Sequence, residues 1–398
     1  MSQPRGRAAT LALLLLAVLS PAASSAQAPG PARPGSIRAP RGQDATAAEK
    51  TPSSSWRFEL SAEGAWYENP YFLNSPEGTA WSTNGRAGLR REQRFQGGSF
   101  TLGAFGGTLY YPEANELNQP TFGGAFQLDW QAGRNTKLRL GQTYERSNTR
   151  NFTPIPADVP LPTSELDSAR STLELEHRLS RRWLMTLGGS FTYRRYEDDL
   201  LTDGDDVEGN FRLGRSVSRH GLLHLGYVYS SSFIGAERLR AHQVLLGGSH
   251  QPERGLGFEI AGGAGYVEST GEYYPSGRFG LSAKGRRTTL AAVYYRSFGQ
   301  AYGYGRQTIG DFAAAKLTWK PGRPLSFEAS YNFGYQRDPA DESYTIRSWI
   351  ALGGFDWEIG GGVAFAARYG WESNETKGFP LVEGGRATAM LRYGVDWK

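Results

Sequence analysis

The sequence predicts an all-β fold: a transmembrane, antiparallel, up-and-down β-barrel of about eighteen strands, with sixteen as the alternative and no plug domain. Three observations predict it. From Trp56 onward apolar and polar residues alternate with a period of two rather than 3.6. The alternating segments run to about 11–16 residues, roughly twice the length of a soluble-sandwich strand and enough to cross a bilayer when tilted. The connections between them alternate short and long, the pattern of bacterial barrels with tight turns at one end and longer loops at the other.

Taken in order, residues 1–26 read as a secretory signal peptide. Arg5 and Arg7 supply its positive start, LALLLLAVL (11–19) its short apolar run, and Pro21 with the small residues after it a cleavage region ending at Ala26 or Ala28. Residues 27–54 are rich in Pro, Ala, Gly, Ser and Arg and cannot bury enough apolar area to fold alone, so a disordered periplasmic lead-in is expected. The barrel is expected over 55–398, with strands at 55–68, 81–92, 95–111, 121–133, 135–148, 168–179, 181–196, 206–219, 221–234, 238–252, 255–269, 275–285, 287–298, 306–320, 323–337, 344–358, 361–373 and 385–398.

The alternation is clearest in four of these. Trp56, Phe58, Leu60 and Ala62 interleave with Arg57, Glu59, Ser61 and Glu63, and Trp183, Met185 and Leu187 with Arg182 and Thr186. Leu325, Phe327, Ala329 and Tyr331 interleave with Ser326, Glu328 and Ser330. Leu391, Tyr393, Val395 and Trp397 carry the pattern through the last strand. Short connections fall at Gly133-Arg134, Ser180-Arg181, Ser218-Arg219, Gly285-Arg286, Pro321-Gly322-Arg323 and Gly360-Gly361; the connection over 234–237 is ambiguous in length. An even strand number places both termini in the periplasm, which a secreted chain requires. Aromatic residues favour strand ends: Trp56, Trp66, Trp183, Tyr193, Trp349, Trp357, Tyr369, Trp371, Tyr393 and Trp397 are expected to form interfacial girdles against outer-membrane lipid.

A mean hydropathy of −0.50 excludes a bundle of membrane helices but not a barrel, in which every second residue faces water. The absence of Cys excludes disulfides, thiolate metal sites and a lipid anchor on an N-terminal Cys. If the apolar set faces lipid, the lumen is lined by Arg86, Arg90, Lys137, Arg139, Glu174, Glu176, Arg178, Arg182, Arg194, Arg212, Arg240, Lys284, Arg296, Lys316, Arg347, Arg368 and Arg392. Glu59, Glu63, Asp129, Glu145, Glu259, Glu328, Asp356 and Asp396 join them, leaving a basic excess. Such charges must be paired or hydrated, which describes both an ion-pair lattice stiffening the wall and a wet channel favouring anionic or hydroxylated solutes. The aromatics Tyr67, Phe105, Tyr111 and Tyr294 are expected to face the lumen as well.

No catalytic constellation is present: no G-x-S-x-G, no H-E-x-x-H and no phosphate loop. His220 and His224 lack accompanying ligands, and the acidic segment at Asp198, Asp199, Asp203, Asp205 and Asp206 reads as a solvated loop before a cation site. No enzyme, cofactor, metal or nucleic-acid partner is expected.

The final Tyr393-x-Val395-x-Trp397 resembles the terminal-strand signal read by outer-membrane assembly machinery, and the segment from about 55 to 398, with its strand count, size, short Pro-rich lead-in and missing plug and periplasmic domains, resembles the β-barrel porin type 2 group, and within it the myxobacterial exopolysaccharide porins. That resemblance implies a conduit for a secreted polysaccharide, working with a periplasmic polysaccharide-export protein; it carries no sharp motif and assigns no residue. A passive diffusion porin for small, preferably anionic solutes and a structural or adhesive barrel are the alternatives.

Overall fold

The computed structural model describes residues 53–69, 78–149, 163–198, 201–234, 237–252, 254–301, 306–339, 341, 343–377 and 381–397. The expected signal peptide and the lead-in up to residue 52 lie outside these. The lead-in boundary shifts: Ser53 and Ser54 already pair with Arg94 and Gln93 in the first strand.

Eighteen strands form at the expected places. They are β1 (Ser53–Tyr67), β2 (Ala80–Phe95), β3 (Gly98–Tyr110), β4 (Gln119–Gln131), β5 (Thr136–Asn148), β6 (Glu165–Arg178), β7 (Trp183–Tyr196), β8 (Gly204–Ser216) and β9 (Gly221–Ile234). β10 (Glu237–His250), β11 (Gly255–Val267), β12 (Glu272–Lys284), β13 (Thr288–Ala301), β14 (Arg306–Trp319), β15 (Leu325–Arg337), β16 (Thr345–Gly360), β17 (Val363–Thr376) and β18 (Val382–Trp397) complete the set. Each pairs antiparallel with its chain neighbours, and β1 also pairs with β18 from Trp56↔Trp397 to Tyr67↔Arg386, which closes the sheet into a barrel. The only helix among the described residues is a short 3-10 turn at Asn115–Leu117, and none there is long and apolar enough to cross a membrane.

One end of the barrel carries tight turns, the other mostly longer loops. At the turn end, Leu179 and Ser180 both donate their backbone N–H to Trp183, and Val217 and Ser218 both donate theirs to Gly221. Between β16 and β17 the chain reverses through Gly360, Gly361 and Gly362 with φ of 108°, 61° and 83°, a left-handed run that side chains disfavour. The ambiguous connection is resolved by strand length: β9 and β10 continue their pairing to Ile234↔Glu237, so two residues connect them at the loop end.

Residues paired across strands share a face, so one strand's orientation fixes the rest. Trp56, Phe58 and Leu60 share a face with Leu89 and Ala87 on β2 and with Val395 and Tyr393 on β18. Following this parity around the barrel puts all ten Trp on the outer face. Trp56, Trp130, Trp183, Trp319, Trp357 and Trp397 ring the turn end; Trp66, Trp81, Trp349 and Trp371 ring the loop end. Large apolar side chains between them stand bare: Leu246 is 68% exposed and Ile260 57%. Side chains buried inside include Ser82, Thr121, Ser168, Thr308 and Gln336, so burial is inverted relative to a water-soluble domain.

Glycines on the lumen face seat aromatic rings. Phe105 on β3 faces Gly123 on β4, where an added Cβ would lie 2.8 Å from the ring, and the Arg86 guanidinium lies over the ring at 3.1 Å from its centroid. Replacing Phe105 by Ala removes the cover over Gly123 and the stacking partner of Arg86. The unfolding free energy in urea, followed by Trp fluorescence in lipid vesicles, is expected to fall by about 1–3 kcal/mol; an unchanged midpoint would show that the ring does not brace the wall.

Candidate functional site: the lumen

The pleat delivers side chains to the lumen at every second position. Register parity places Arg86, Arg90, Lys137, Arg139, Glu174, Glu176, Arg178, Arg194, Arg212, Lys284, Lys316, Arg368 and Arg392 on the inner face, as the alternation implies. Arg182 lies in the β6–β7 turn at the rim, one residue before β7 begins.

Arg240, Arg296 and Arg347 are on the outer face, contrary to expectation, and so is Tyr294. Arg347 shares its face with Trp349, and Arg296 with Tyr294. Each of these three arginines stands one pleat, about 6.6 Å, from an outward aromatic or imidazole ring on the side of the loops. There the outer face leaves the apolar belt, and charge is tolerated. The Arg296 Nε lies 3.7 Å from Asp311, to which the Tyr294 hydroxyl also donates at 2.5 Å. The Arg240 guanidinium lies 3.3 Å from Glu268, a loop carboxylate that also meets the His242 ring at 2.8 Å. The His242 contact first, and Arg240 second, hold the Glu268 carboxyl below the usual carboxylate range.

The expected basic excess disappears with these corrections. Arg57, Arg94 and Arg170 join the inner face, but so do Asp206, Glu208 and Glu272, and acids and bases there are close to equal in number. They form short chains along neighbouring strands. Asp129, Arg139 and Glu174 link β4, β5 and β6, with Arg139 3.4 Å from Asp129 and hydrogen-bonded to Glu174. Asp356 on β16 holds Arg368 at 3.2 Å and Arg392 at 3.3 Å. Lys316 meets Glu328 at 2.7 Å, and Arg386 meets Glu63 at 3.2 Å. Arg86 reaches across two strands toward Glu145, at 3.9 Å. Arg90, Lys137 and Lys284 have no carboxylate within 4 Å among the described residues. These groups are mostly half-exposed, so water screens each pair, and no single pair holds the barrel together.

The two ends of the lumen differ. At the turn end most inward side chains are partly exposed. At the loop end they are buried on many strands: Tyr67 and Leu109 pack with Tyr111 and Ala114, Thr308 hydrogen-bonds Gln336 at 2.6 Å, and Arg194 and Ile346 are covered. Part of this filling comes from a step in the wall. Pairing between β12 and β13 stops at Gly277↔Arg296, although both strands continue toward the loops. Beyond that point the inward-facing Ala241, Val267 and Tyr274 of β10–β12 pack on the outward-facing Ile309 and Phe298 of β14 and β13. The loop ends of β13 and β14 are therefore tucked inside those of β10–β12 and narrow the mouth. Arg337 donating to Glu272 at 2.9 Å and Ser276 donating to the Arg296 carbonyl at 3.0 Å fasten the step.

No family model matches the sequence, and no curated protein matches it. Solved structures that align with it include OpdQ from Pseudomonas aeruginosa (10% identity, 87% of this chain and 98% of that one, TM-score 0.47), OccAB4 from Acinetobacter baumannii (12%, 87% and 98%, 0.45), and the siderophore receptor PirA from Pseudomonas aeruginosa (8%, 85% and 80%, 0.43). The barrel assignment rests on this chain's own strand pairing.

Other candidate chemistry resolves into structural contacts. Asp205 pairs with Arg195 at 2.7 Å, Asp203 accepts from the Tyr196 backbone at 2.9 Å, and Asp206 is bonded by Ser232; Asp199 lies outside the described residues. No group of three or more metal-ligand side chains occurs among the described residues. His224 is buried on the lumen face of β9, and His220 in the adjoining turn meets the His250 ring edge-on at 6.0 Å. Of the proline-rich connection over 149–167, residues 150–162 lie outside the described residues.

Asp356→Asn leaves Arg368 and Arg392 without their shared carboxylate. In a planar bilayer under a KCl gradient, the reversal potential is expected to move toward anions, with the permeability ratio changing about twofold. Arg347→Gln, on the outer face, is expected to leave it unchanged. Equal responses from the two variants would contradict the face assignment.

Proposed function

We propose that this protein is an outer-membrane channel of a Gram-negative bacterium, carrying small charged or hydroxylated solutes, with the turn end in the periplasm. The observation that carries the reading is the combination of a closed wall, an apolar belt bounded by two Trp girdles outside, and hydrated, paired charges inside. Lipid accepts the first face, water the second. Eighteen strands spaced about 4.8 Å apart and tilted about 37° close at a backbone radius of roughly 17 Å, which leaves an aqueous lumen. The filled loop end makes the passage selective, and the charge balance favours solutes that exchange water for alternating donors and acceptors over anions as a class. Loop lengths support the orientation, since periplasmic turns are short in such barrels.

The exopolysaccharide conduit implied by the family resemblance, with its periplasmic export partner, is the second reading. The wide, partly exposed lumen at the turn end favours it, because a polymer delivered from the periplasm enters there. It requires the stepped loop end to open.

Purified protein in a planar bilayer is expected to give discrete conductance steps, and vesicles containing it are expected to swell faster in small sugars or dicarboxylates than empty vesicles. Deletion of the gene is expected to slow uptake of such solutes with surface polysaccharide unchanged. Loss of surface polymer with accumulation inside the cell would replace the diffusion reading with export, and a protein without conductance would overturn both.

A further inference from the structure

The turn end carries a collar of cations. Arg134, Arg181, Arg182, Arg219, Arg254, Arg286, Arg287, Lys320 and Arg323 all lie in the connections at this end, and all are exposed. Among the described residues none of them lies within 4 Å of a carboxylate. The loop end is built differently: Arg146, Arg195, Arg240, Arg296 and Arg337 there are each matched by an acid, and Arg238 and Arg347 lie over the Phe233 and Phe333 rings, with Lys377 left without a carboxylate within 4 Å among the described residues. Among the described residues, cations without a carboxylate partner are therefore more numerous in the connections of the turn end than at the loop end.

Three features say what the collar meets. It runs over six successive turns, from the one after β4 to the one after β14, and leaves a single gap from β16 through the β18–β1 seam to β3, so it forms an arc over about two thirds of the rim. It begins one to four residues beyond the Trp girdle, as in Trp130 to Arg134, Arg182 to Trp183, and Trp319 to Lys320; that step reaches from the edge of a hydrocarbon layer to its headgroups. On the outer face at the same height, guanidinium groups lie over girdle indoles, Arg91 5.4 Å from Trp56 and Arg215 5.7 Å from Trp183. These side chains have apolar stems along the lipid-facing wall and a cationic head at the boundary. The turns are also held at fixed height: the Ser180 hydroxyl accepts from the Arg182 and Trp183 backbone N–H groups, and the Ser218 hydroxyl from His220.

We infer that the turn-end collar binds anionic phospholipid headgroups of the surrounding leaflet, selecting them over zwitterionic ones. The inference rests on the reading of the chain as a membrane barrel, and not on its being a channel. An exposed arginine on a tight turn offers a phosphate two parallel N–H donors at little ordering cost, and many such sites along one rim add up on an anionic surface.

The test uses the full barrel from residue 27 onward, refolded in detergent and equilibrated with equal amounts of phosphatidylglycerol and phosphatidylethanolamine; lipid retained after gel filtration is counted by mass spectrometry. The expected result is retention of phosphatidylglycerol over phosphatidylethanolamine by about threefold or more, weakening in about 0.5 M NaCl as screening shortens the reach of the charges. The combined variant R181Q, R182Q, R286Q, R287Q, K320Q and R323Q is expected to retain the two lipids about equally, with heat-modifiable gel mobility confirming that it folds. Equal retention by the unaltered barrel, or an undiminished preference in the folded variant, would overturn the inference. So would capture of an acidic protein at this rim without lipid selectivity. A barrel that selects phosphatidylglycerol but conducts no ions would leave this inference standing and remove the channel reading.

Discussion

A β-strand facing hydrocarbon has nowhere to put an unpaired amide, and the pairing of β1 with β18 is what removes the last free edge. Without it, Ser53–Tyr67 and Val382–Trp397 would each present a row of backbone donors and acceptors to a medium that offers none in return, at several kcal/mol for each unsatisfied group. Closure also has a geometric consequence. Once the first and last strands are in register, every strand between them is committed to one parity, because a slip of one residue anywhere would turn an entire strand inside out. The ten outward Trp are the visible result of that commitment.

From this single constraint the chemistry of the two faces separates by height as well as by side. Outside, apolar residues fill the middle and indoles mark its edges. Beyond the edges come bare cations at the turn end, and at the loop end arginines matched by acids, such as Arg195 and Arg240, or laid over rings, such as Arg347. Inside, carboxylate–guanidinium chains such as Asp129–Arg139–Glu174 and Arg368–Asp356–Arg392 run from strand to strand where water reaches them. These pairs contribute little to stability individually. Their effect is on the lumen: they hold long side chains against the wall and set alternating charges along the path. Toward the loops the wall folds over itself between β12 and β13, and the same residue types that line an open passage lower down become packed.

Much of this was legible in the sequence because a barrel strand is a local object. Eighteen alternating segments could be read from period and turn residues, with ends displaced by a few residues where, as at Ser53 or Glu165, pairing continues past the last apolar position. The site was less legible. Arg347 sits two residues from Trp349, so parity alone puts both on one face; assigning arginine to the lumen by its charge overrode that signal, and Arg240 and Arg296 failed for the same reason, while Tyr294 shares the outer face with Arg296. The loop-end step was not legible at all. It joins Glu272 to Arg337 and Val267 to Ile309, contacts that no local pattern encodes. Nor did alternation announce Arg86 reaching over Phe105 toward Glu145, which depends on Gly123 leaving room for the ring.

The account stands on face assignment by register, and β16 tests it most directly because its inner face is partly apolar there. The chain has no Cys, so single Cys substitutions at each position from Trp349 to Trp357 can carry a nitroxide without background labelling. Collision rates with oxygen, which concentrates in lipid, and with a water-soluble nickel complex would be measured in vesicles. The account predicts oxygen maxima at Trp349, Ala351, Gly353, Phe355 and Trp357, and nickel maxima at Gly354 and Asp356, with Leu352 on the nickel side despite its apolar character. Oxygen maxima at Ile350 and Leu352, or no alternation along the strand, would contradict it.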